Sequence, residues 1–285
     1  MIYPAEGPYS EKEEEKYQEL LEYYYDSWEE NQTSKNTELE NFLPKNMTKR
    51  RVMRFLNGNN FNIKKTYVNI NNHCEWRKEF HPIILTDDMM KLLQFGYCFI
   101  HGRDRNFRPI LVVNAKILKR DDVNVEDAFN VSWFVCFYMI ENLLKREKVE
   151  NWIDILNLGN LPIAKIPVNA LKKFFKDAQE HLKWRVYKIF IFHVTWGIRT
   201  IWAILSPFVD KNVKDKIIMK KGQYDEKLFE LAHPSQIEQK YGGEAEDVTE
   251  FWPPFCPSNE YGHDPENIFR NTDSDYDSDD SEVNI

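Results

Sequence analysis

The chain of 285 residues is long enough for one large domain or two smaller ones, and none of its apolar runs reaches the ~18 uncharged residues of a bilayer span. Its net charge of −8 is unevenly placed: residues 1–30 hold ten acids against two lysines and residues 271–285 six acids and no base, which leaves +6 on residues 31–270. Cys74, Cys98, Cys136 and Cys256 share no close spacing, which argues against zinc knuckles and a disulfide framework and fits a reducing compartment.

In chain order, MIYPAEGPYSEKEEE is acidic, unlike a signal or transit peptide, so cytoplasmic residence is expected. Residues 11–30 read as an acidic helix with one apolar stripe, Leu20, Leu21, Tyr24, Tyr25 and Trp28. After a polar break at Asn31–Asn36, Thr48 caps a helix through Leu56, and Asn57-Gly58-Asn59-Asn60 is a turn. Ile63, Tyr67, Ile70 and Cys74 recur at helical spacing in a segment that runs to Phe80, before Pro82. Strand signals begin at Tyr97–Ile100 and resume, past the polar turn 102–106, at Ile110–Val113. A long helix is predicted over Glu126–Lys145, a strand over Trp152–Leu156, and a helix from Pro167 to about Lys183.

The stretch Lys188–Met219 organises the rest. Ile189–Val194 has the length and β-branched content of a buried strand, and Gly197 punctuates it. Ile198, Ile201, Trp202, Leu205, Phe208 and Val209 then lie on one helical face, interrupted by Pro207. A basic segment, Lys211–Lys216, leads to a strand at Lys216–Met219, and helices follow near Asp225–Ala232 and Ser235–Tyr241. Strands alternating with helices argue an α/β sheet behind an all-helical first third. Beyond Gly243 the composition is loop-like, and the aspartate-serine tail is expected to be disordered.

Six motifs occur in one order: Arg54-Phe55-Leu56 with Phe61-Asn62, Cys74–Phe80, Gly102-Arg103-Asp104 with Arg108-Pro109-Ile110, Asp154 in WIDILNLG, Ser206–Val209 with Asp215-Lys216-Ile217, and Gln239–Gly243. Together, over about residues 45–245, they resemble the CRAL-TRIO family, whose members bind a lipid or other lipophile over a mixed sheet and under a mobile gate helix. The resemblance implies an acidic helical extension (1–44), a helical N-terminal module (45–86), a lipid-binding domain (87–246) and a tail (247–285). It implies a pocket and gate made by Phe190, Phe192, Val194, Ile198, Ile201, Trp202, Leu205, Phe208 and Val209. Lys183, Arg185, Lys188, Lys214 and Lys216 are its expected contacts with headgroups or an anionic membrane.

The family's phosphatidylinositol-transfer members hold the inositol with a glutamate and a lysine. The lysine matches Lys216, whereas Trp184 stands at the glutamate position. Asn57–Asn60 replaces their arginine-rich turn, and Val149 and Asn151 fall where a serine and a threonine contact phosphocholine. In the tocopherol-carrier branch, by resemblance, basic residues beside the pocket touch a phosphoinositide.

No G-x-S-x-G, P-loop, dinucleotide fingerprint or H-E-x-x-H occurs, and the seven histidines are dispersed. Neither catalysis, a metal nor a nucleic-acid partner is therefore expected, and no cofactor besides bound lipid. Asp104 and Asp154 read as turn and strand-end groups, and His193 as a core or pocket-lining residue. The resemblance predicts a cytoplasmic, transiently membrane-associated carrier. The competing reading is a lipid-sensing or scaffold module whose acidic N-terminal helix recruits a protein.

Overall fold

The computed structural model describes residues 9–27, 43–45, 47–144 and 149–254. The readings for Trp28, the break at Asn31–Asn36, Lys145 and the acidic tail lie outside the described residues.

Helix α1 (Glu11–Asp26) starts at a capping box, in which the Ser10 hydroxyl accepts from the Glu13 N–H and the Glu13 carboxylate accepts from the Ser10 N–H at 2.9 Å. Its buried stripe, Tyr17, Leu20, Leu21 and Tyr24, packs on α2 (Lys49–Gly58) and α3 (Ile63–Phe80). Thr48 and Asn62 cap those two helices by accepting first-turn N–H groups. Helix α4 (Asp87–Gln94) has no counterpart among the expected elements. The Thr86 hydroxyl accepts from the Met89 N–H at 3.2 Å, two aspartates occupy the first turn, and Met89, Leu92 and Leu93 are buried. Eight residues give too little periodicity to announce a helix.

The five strands lie in the order β1-β2-β3-β4-β5. Strands β1 (Cys98–Arg103) and β2 (Pro109–Asn114) form an antiparallel hairpin; β3 (Trp152–Asn157), β4 (Val186–Phe192) and β5 (Ile217–Met219) continue in parallel. The mixed sheet is the one expected. Asp104 fixes the hairpin turn: one carboxylate oxygen accepts from the N–H groups of Asn106 and Arg108, the other from the Arg108 guanidinium, all at 2.8 Å. That is the structural role anticipated for it. Gly102 has φ +71, and a Cβ there would lie 2.2 Å from the Gln236 carbonyl oxygen, so the strand approaches the C-terminal segment only without a side chain.

Since successive parallel strands are neighbours, crossovers of a single hand carry α5 (Val125–Asn142), α6 (Val168–His181) and α7 (Trp196–Leu205) to the same face. Cys98, Ile100, Leu111 and Trp152 pack there with α4 and α5, and Leu156, Ile189 and Ile191 with Ile198 of α7. After α7 come the single-turn α8 (Lys211–Lys214) and α9 (Glu226–Leu231). The opposite face, with Phe99, Ile110, Val112, Ile153, Ile155, Phe190 and Phe192, is covered by Leu228 of α9 and by Ile237, Tyr241 and Phe251.

Three expectations shift. β4 begins at Val186 and ends at Phe192, because His193 turns to φ +61 and its N–H goes to the Gly222 carbonyl. Gly197 lies inside α7, which Thr195 caps. The helix expected over Ser235–Tyr241 is two 3-10 turns, Pro234–Gln236 and Gln239–Tyr241. Tertiary contacts override propensity in this segment: Ile237 enters the sheet core, and the Tyr241 hydroxyl accepts from Asn157 Nδ2 at 3.2 Å.

Candidate functional site

Helix α7 has two kinds of apolar surface. Ile198 packs with Ala115, Leu158, Leu161, Ile191 and Val194, and Leu205 and Val209 are also buried. Ile201 and Trp202 are half-buried. Trp196 is 82% exposed, Phe208 51% and Ile204 47%, an apolar rim turned to solvent. Gly197 faces the turn Ile163–Lys165, where an added Cβ would lie 1.9 Å from Ile163 Cδ1 and that exposed side chain would have to turn aside. The 3-10 turn Ser206–Phe208 around Pro207 ends the helix, as anticipated. Gln179 of α6 ties down the chain on leaving that turn: its amide donates to the Phe208 carbonyl, and its oxygen accepts from the Asp210 N–H.

The pocket residues expected from sequence do not all lie under this helix. Phe190 and Phe192 are fully buried on the opposite face, where Phe192 stacks on Tyr241 at 5.7 Å. The cause is the period of two along a strand, which gives the α7 side to Ile189 and Ile191 instead. The alternation V-Y-K-I-F-I-F carried that signal, but both sets are apolar, so it could not say which faced the helices. Asp154 is likewise not at a strand end. It is the third residue of β3, paired with Leu111 and Ile189 on the helix-covered face. Burial pushes its carboxyl up to about 7, against an N–H donated by Trp152 Nε1 at 2.9 Å and the charge of Lys216. His193 is half-buried beyond the end of β4.

Leu156 and Ile189 lie on interior strands beneath a layer of helices, yet both are only half-buried, as is Asp154 between them and the α5 side. A sheet face filled to ordinary packing density buries such residues completely.

The five expected basic contacts separate. Arg185 is consumed inside the protein: its guanidinium donates to the Glu150 carboxylate at 2.7 Å and to the Glu150 carbonyl at 3.0 Å, and Arg54 and Arg50 reach the same carboxylate at 2.9 and 3.0 Å. Burial alone would raise the Glu150 pKa, but Arg185, Arg54 and Arg50 outweigh it and hold the carboxyl below its ordinary value. Arg185, 6% exposed, is thus a partner of Glu150 in the interior rather than a surface cation. Lys216 donates to the Val186 carbonyl at 2.6 Å and lies over Trp184; Lys188 is half-buried and Lys214 exposed.

Lys183 lines a cleft of about 500 Å³ between α3 and α6, with Lys65, Lys172, Lys173, Lys176, Asn69, Gln179, Glu180, Phe208 and Asp210. Although only 7% exposed, Lys183 forms no ion pair among the described residues, and neither do the other four lysines. Burial and the facing Lys65 lower its pKa. The run Lys172-Lys173-Phe174-Phe175-Lys176, basic on its outer side, is the sequence signal for this cleft, and the motif reading assigned it no role.

Among the described residues no group of three or more His, Cys, Asp or Glu side chains could hold a metal ion, and no helix is long and apolar enough to cross a membrane. Residues 93–243 match the family model of the CRAL/TRIO domain. Patellin-6 of Arabidopsis thaliana is 25% identical over 67% of this chain and 50% of its own length. Phosphatidylinositol/phosphatidylcholine transfer protein SFH12 of the same plant is 22% identical over 67% of the chain and 39% of its own, and SEC14 cytosolic factor of Yarrowia lipolytica 22% over 68% and 43%. The chain thus spans half or less of the length of these relatives. The crystal structure of Sfh5 superposes with a TM-score of 0.63 at 12% identity, covering 89% of this chain and 94% of that one.

Proposed function

We propose that this chain, which belongs to the CRAL/TRIO domain family, is a lipid carrier that holds one lipophilic molecule between the sheet and α7 and exchanges it at membranes. Transfer of phosphatidylinositol and phosphatidylcholine is the activity for which SFH12 is named. The observation that carries the reading to this chain is the incomplete burial of Leu156 and Ile189 on interior strands beneath α7. Such a face gains on the order of 25 cal/mol per Å² when an acyl chain covers it.

Val194, Ile198, Ile201, Trp202, Leu205 and Val209 keep their part in this reading, and Ile189 and Ile191 replace Phe190 and Phe192. The exposed rim of α7, with Trp196, Ile204 and Phe208, rests in the membrane interface, where an indole spans apolar and polar layers. The lysine cleft beside Phe208 faces anionic headgroups, and Lys188, Lys214 and Lys216 add to the same field. The protein performs no covalent chemistry in this account; it works in the cytoplasm and visits membranes transiently.

The test is transfer of a fluorescent phospholipid from donor to acceptor vesicles by purified protein. Transfer above the spontaneous rate, lost in Leu205→Asp, is the expected result. Equal rates with and without protein, for phosphatidylcholine and phosphatidylinositol alike, would leave the lipid-sensing module as the better description.

A further inference from the structure

Along β3 the helix-covered face of the sheet is interrupted by one polar side chain, while Val113 beside Leu156, and Leu118, connect its two apolar clusters elsewhere. Trp152 belongs to the cluster under α4 and α5, and Leu156 packs with the cluster under α7. Asp154 stands between them, two residues from each along β3. Here the seam between two clusters coincides with an ionisable side chain.

The surroundings of Asp154 are otherwise apolar or already engaged. Leu111 and Ile189 flank it across the sheet. Cys98 and Cys136 lie near enough for their thiols to feel its charge. Lys216 is the nearby cation, but its ammonium donates to the Val186 carbonyl rather than to Asp154. Trp152 Nε1 donates to Oδ1; among the described residues, nothing donates to Oδ2. The side chain lies deep in the protein and still keeps accessible surface, the combination expected of a group that borders an internal space. A buried carboxylate with one donor is costly to keep, so its second oxygen takes either a proton, the direction in which burial pushes it, or a hydrogen-bond donor that the folded chain does not supply.

We propose that Asp154 is the polar anchor of the pocket, and that its Oδ2 accepts a hydrogen bond from a hydroxyl group on the bound lipophile. This inference rests on the ligand-binding reading above and adds a specificity to it. Apolar walls accept any alkyl chain of suitable size, with little discrimination per methylene. A buried acceptor discriminates far more sharply, because a ligand without a donor leaves it unpaired. The trapped ligand is therefore an alcohol rather than a hydrocarbon, ester or ether at the point where it meets β3.

The experiment compares two fluorescent probes that differ by one methyl group, 12-(1-pyrenyl)dodecanol and its methyl ether, titrated into the delipidated full chain. At about pH 8.5, above the raised value of the Asp154 carboxyl, the wild-type protein should bind the alcohol about tenfold or more tightly than the ether, the ratio carried by a hydrogen bond to an ionised group. Asp154→Leu should bind both alike, with the ether held at least as tightly as by wild type. Equal affinities in the wild type overturn the proposal, and so does a preference for the alcohol that survives in Asp154→Leu. If neither probe binds either protein, the carrier reading itself fails and takes this inference with it. Should Asp154→Leu not fold, Asp154→Asn decides: it keeps an acceptor oxygen but no charge, so the preference should fall to a few-fold, and an unchanged preference refutes the anchor.

Discussion

Ile191 and Phe192 are adjacent in β4 and serve opposite faces of the sheet: Ile191 packs beneath α7, while Phe192 stacks on Tyr241 in the core on the far side. Truncating Phe192 should therefore not resemble altering Ile189, which shares the Ile191 side. Phe192→Ala leaves a cavity in a closed core and should cost about 3–5 kcal/mol of stability. Ile189→Trp, on the incompletely buried side, should change stability by less than about 1.5 kcal/mol and still reduce lipid uptake by occupying ligand space. Urea titration read beside a vesicle-transfer assay separates the two, and equal losses of stability would remove the distinction between the faces.

Glu150 is the one carboxylate shared by Arg50, Arg54 and Arg185, and it ties α2 to the segment before β4. Glu150→Gln should cost about 3–5 kcal/mol, since it strands buried guanidinium groups. The folded-state pKa of Glu150 is depressed, so its contribution to stability is present above its unfolded value and disappears as pH falls through the lower folded value. Wild type and variant should converge in stability at acid pH, as measured by urea midpoints. A difference that persists unchanged there would contradict the assignment.

Asp154 has the opposite sign. Burial raises its pKa to about 7, so the folded state binds the proton more tightly than the unfolded chain, and stability declines as pH rises from the ordinary carboxyl range to about 7. His73 and His181, lowered by burial to about 2 and about 4, contribute a slope of the reverse sense as pH falls below the ordinary histidine range. The difference between wild type and Asp154→Asn isolates the carboxyl. The variant should gain relative stability by up to about 1.4 kcal/mol per pH unit across that window, and a flat difference would show that the carboxyl is ionised as in water.

The lysine cleft predicts a salt-sensitive membrane interaction. Converting Lys172, Lys173 and Lys176 to glutamate should reduce sedimentation with phosphatidylserine vesicles several-fold at low ionic strength, with the difference shrinking as salt rises. Lys214→Glu with Lys216→Glu should weaken binding less, because Lys216 is already engaged with Val186. Equal vesicle binding by the triple variant and wild type would assign the cleft no membrane role.

Much of the fold was legible because it is written in local chemistry. Thr48 and the alternation of strands with amphipathic helices each announced their elements, and Asp104 with Arg108 marked the hairpin. What escaped depended on partners distant in sequence. Nothing local says that Phe190 and Phe192 face α9 rather than α7, since both sides of β4 are apolar and the choice is made by crossover handedness. Arg185 reads as one more surface cation until Glu150 and Arg54, 35 and 131 residues earlier in the chain, enclose it. Asp154 was visible as a motif residue, but its place on the interior of a sheet face follows only from strand register.

The central claim is that the purified protein carries a lipophilic guest in one-to-one proportion. Native mass spectrometry of the full chain, followed by organic extraction, measures it directly. The account predicts a mass increment of one lipid per protein, which disappears in Leu205→Asp and whose extract bears a free hydroxyl. A chain that runs at its bare mass from several expression hosts, and takes up no lipid from mixed vesicles, would contradict it.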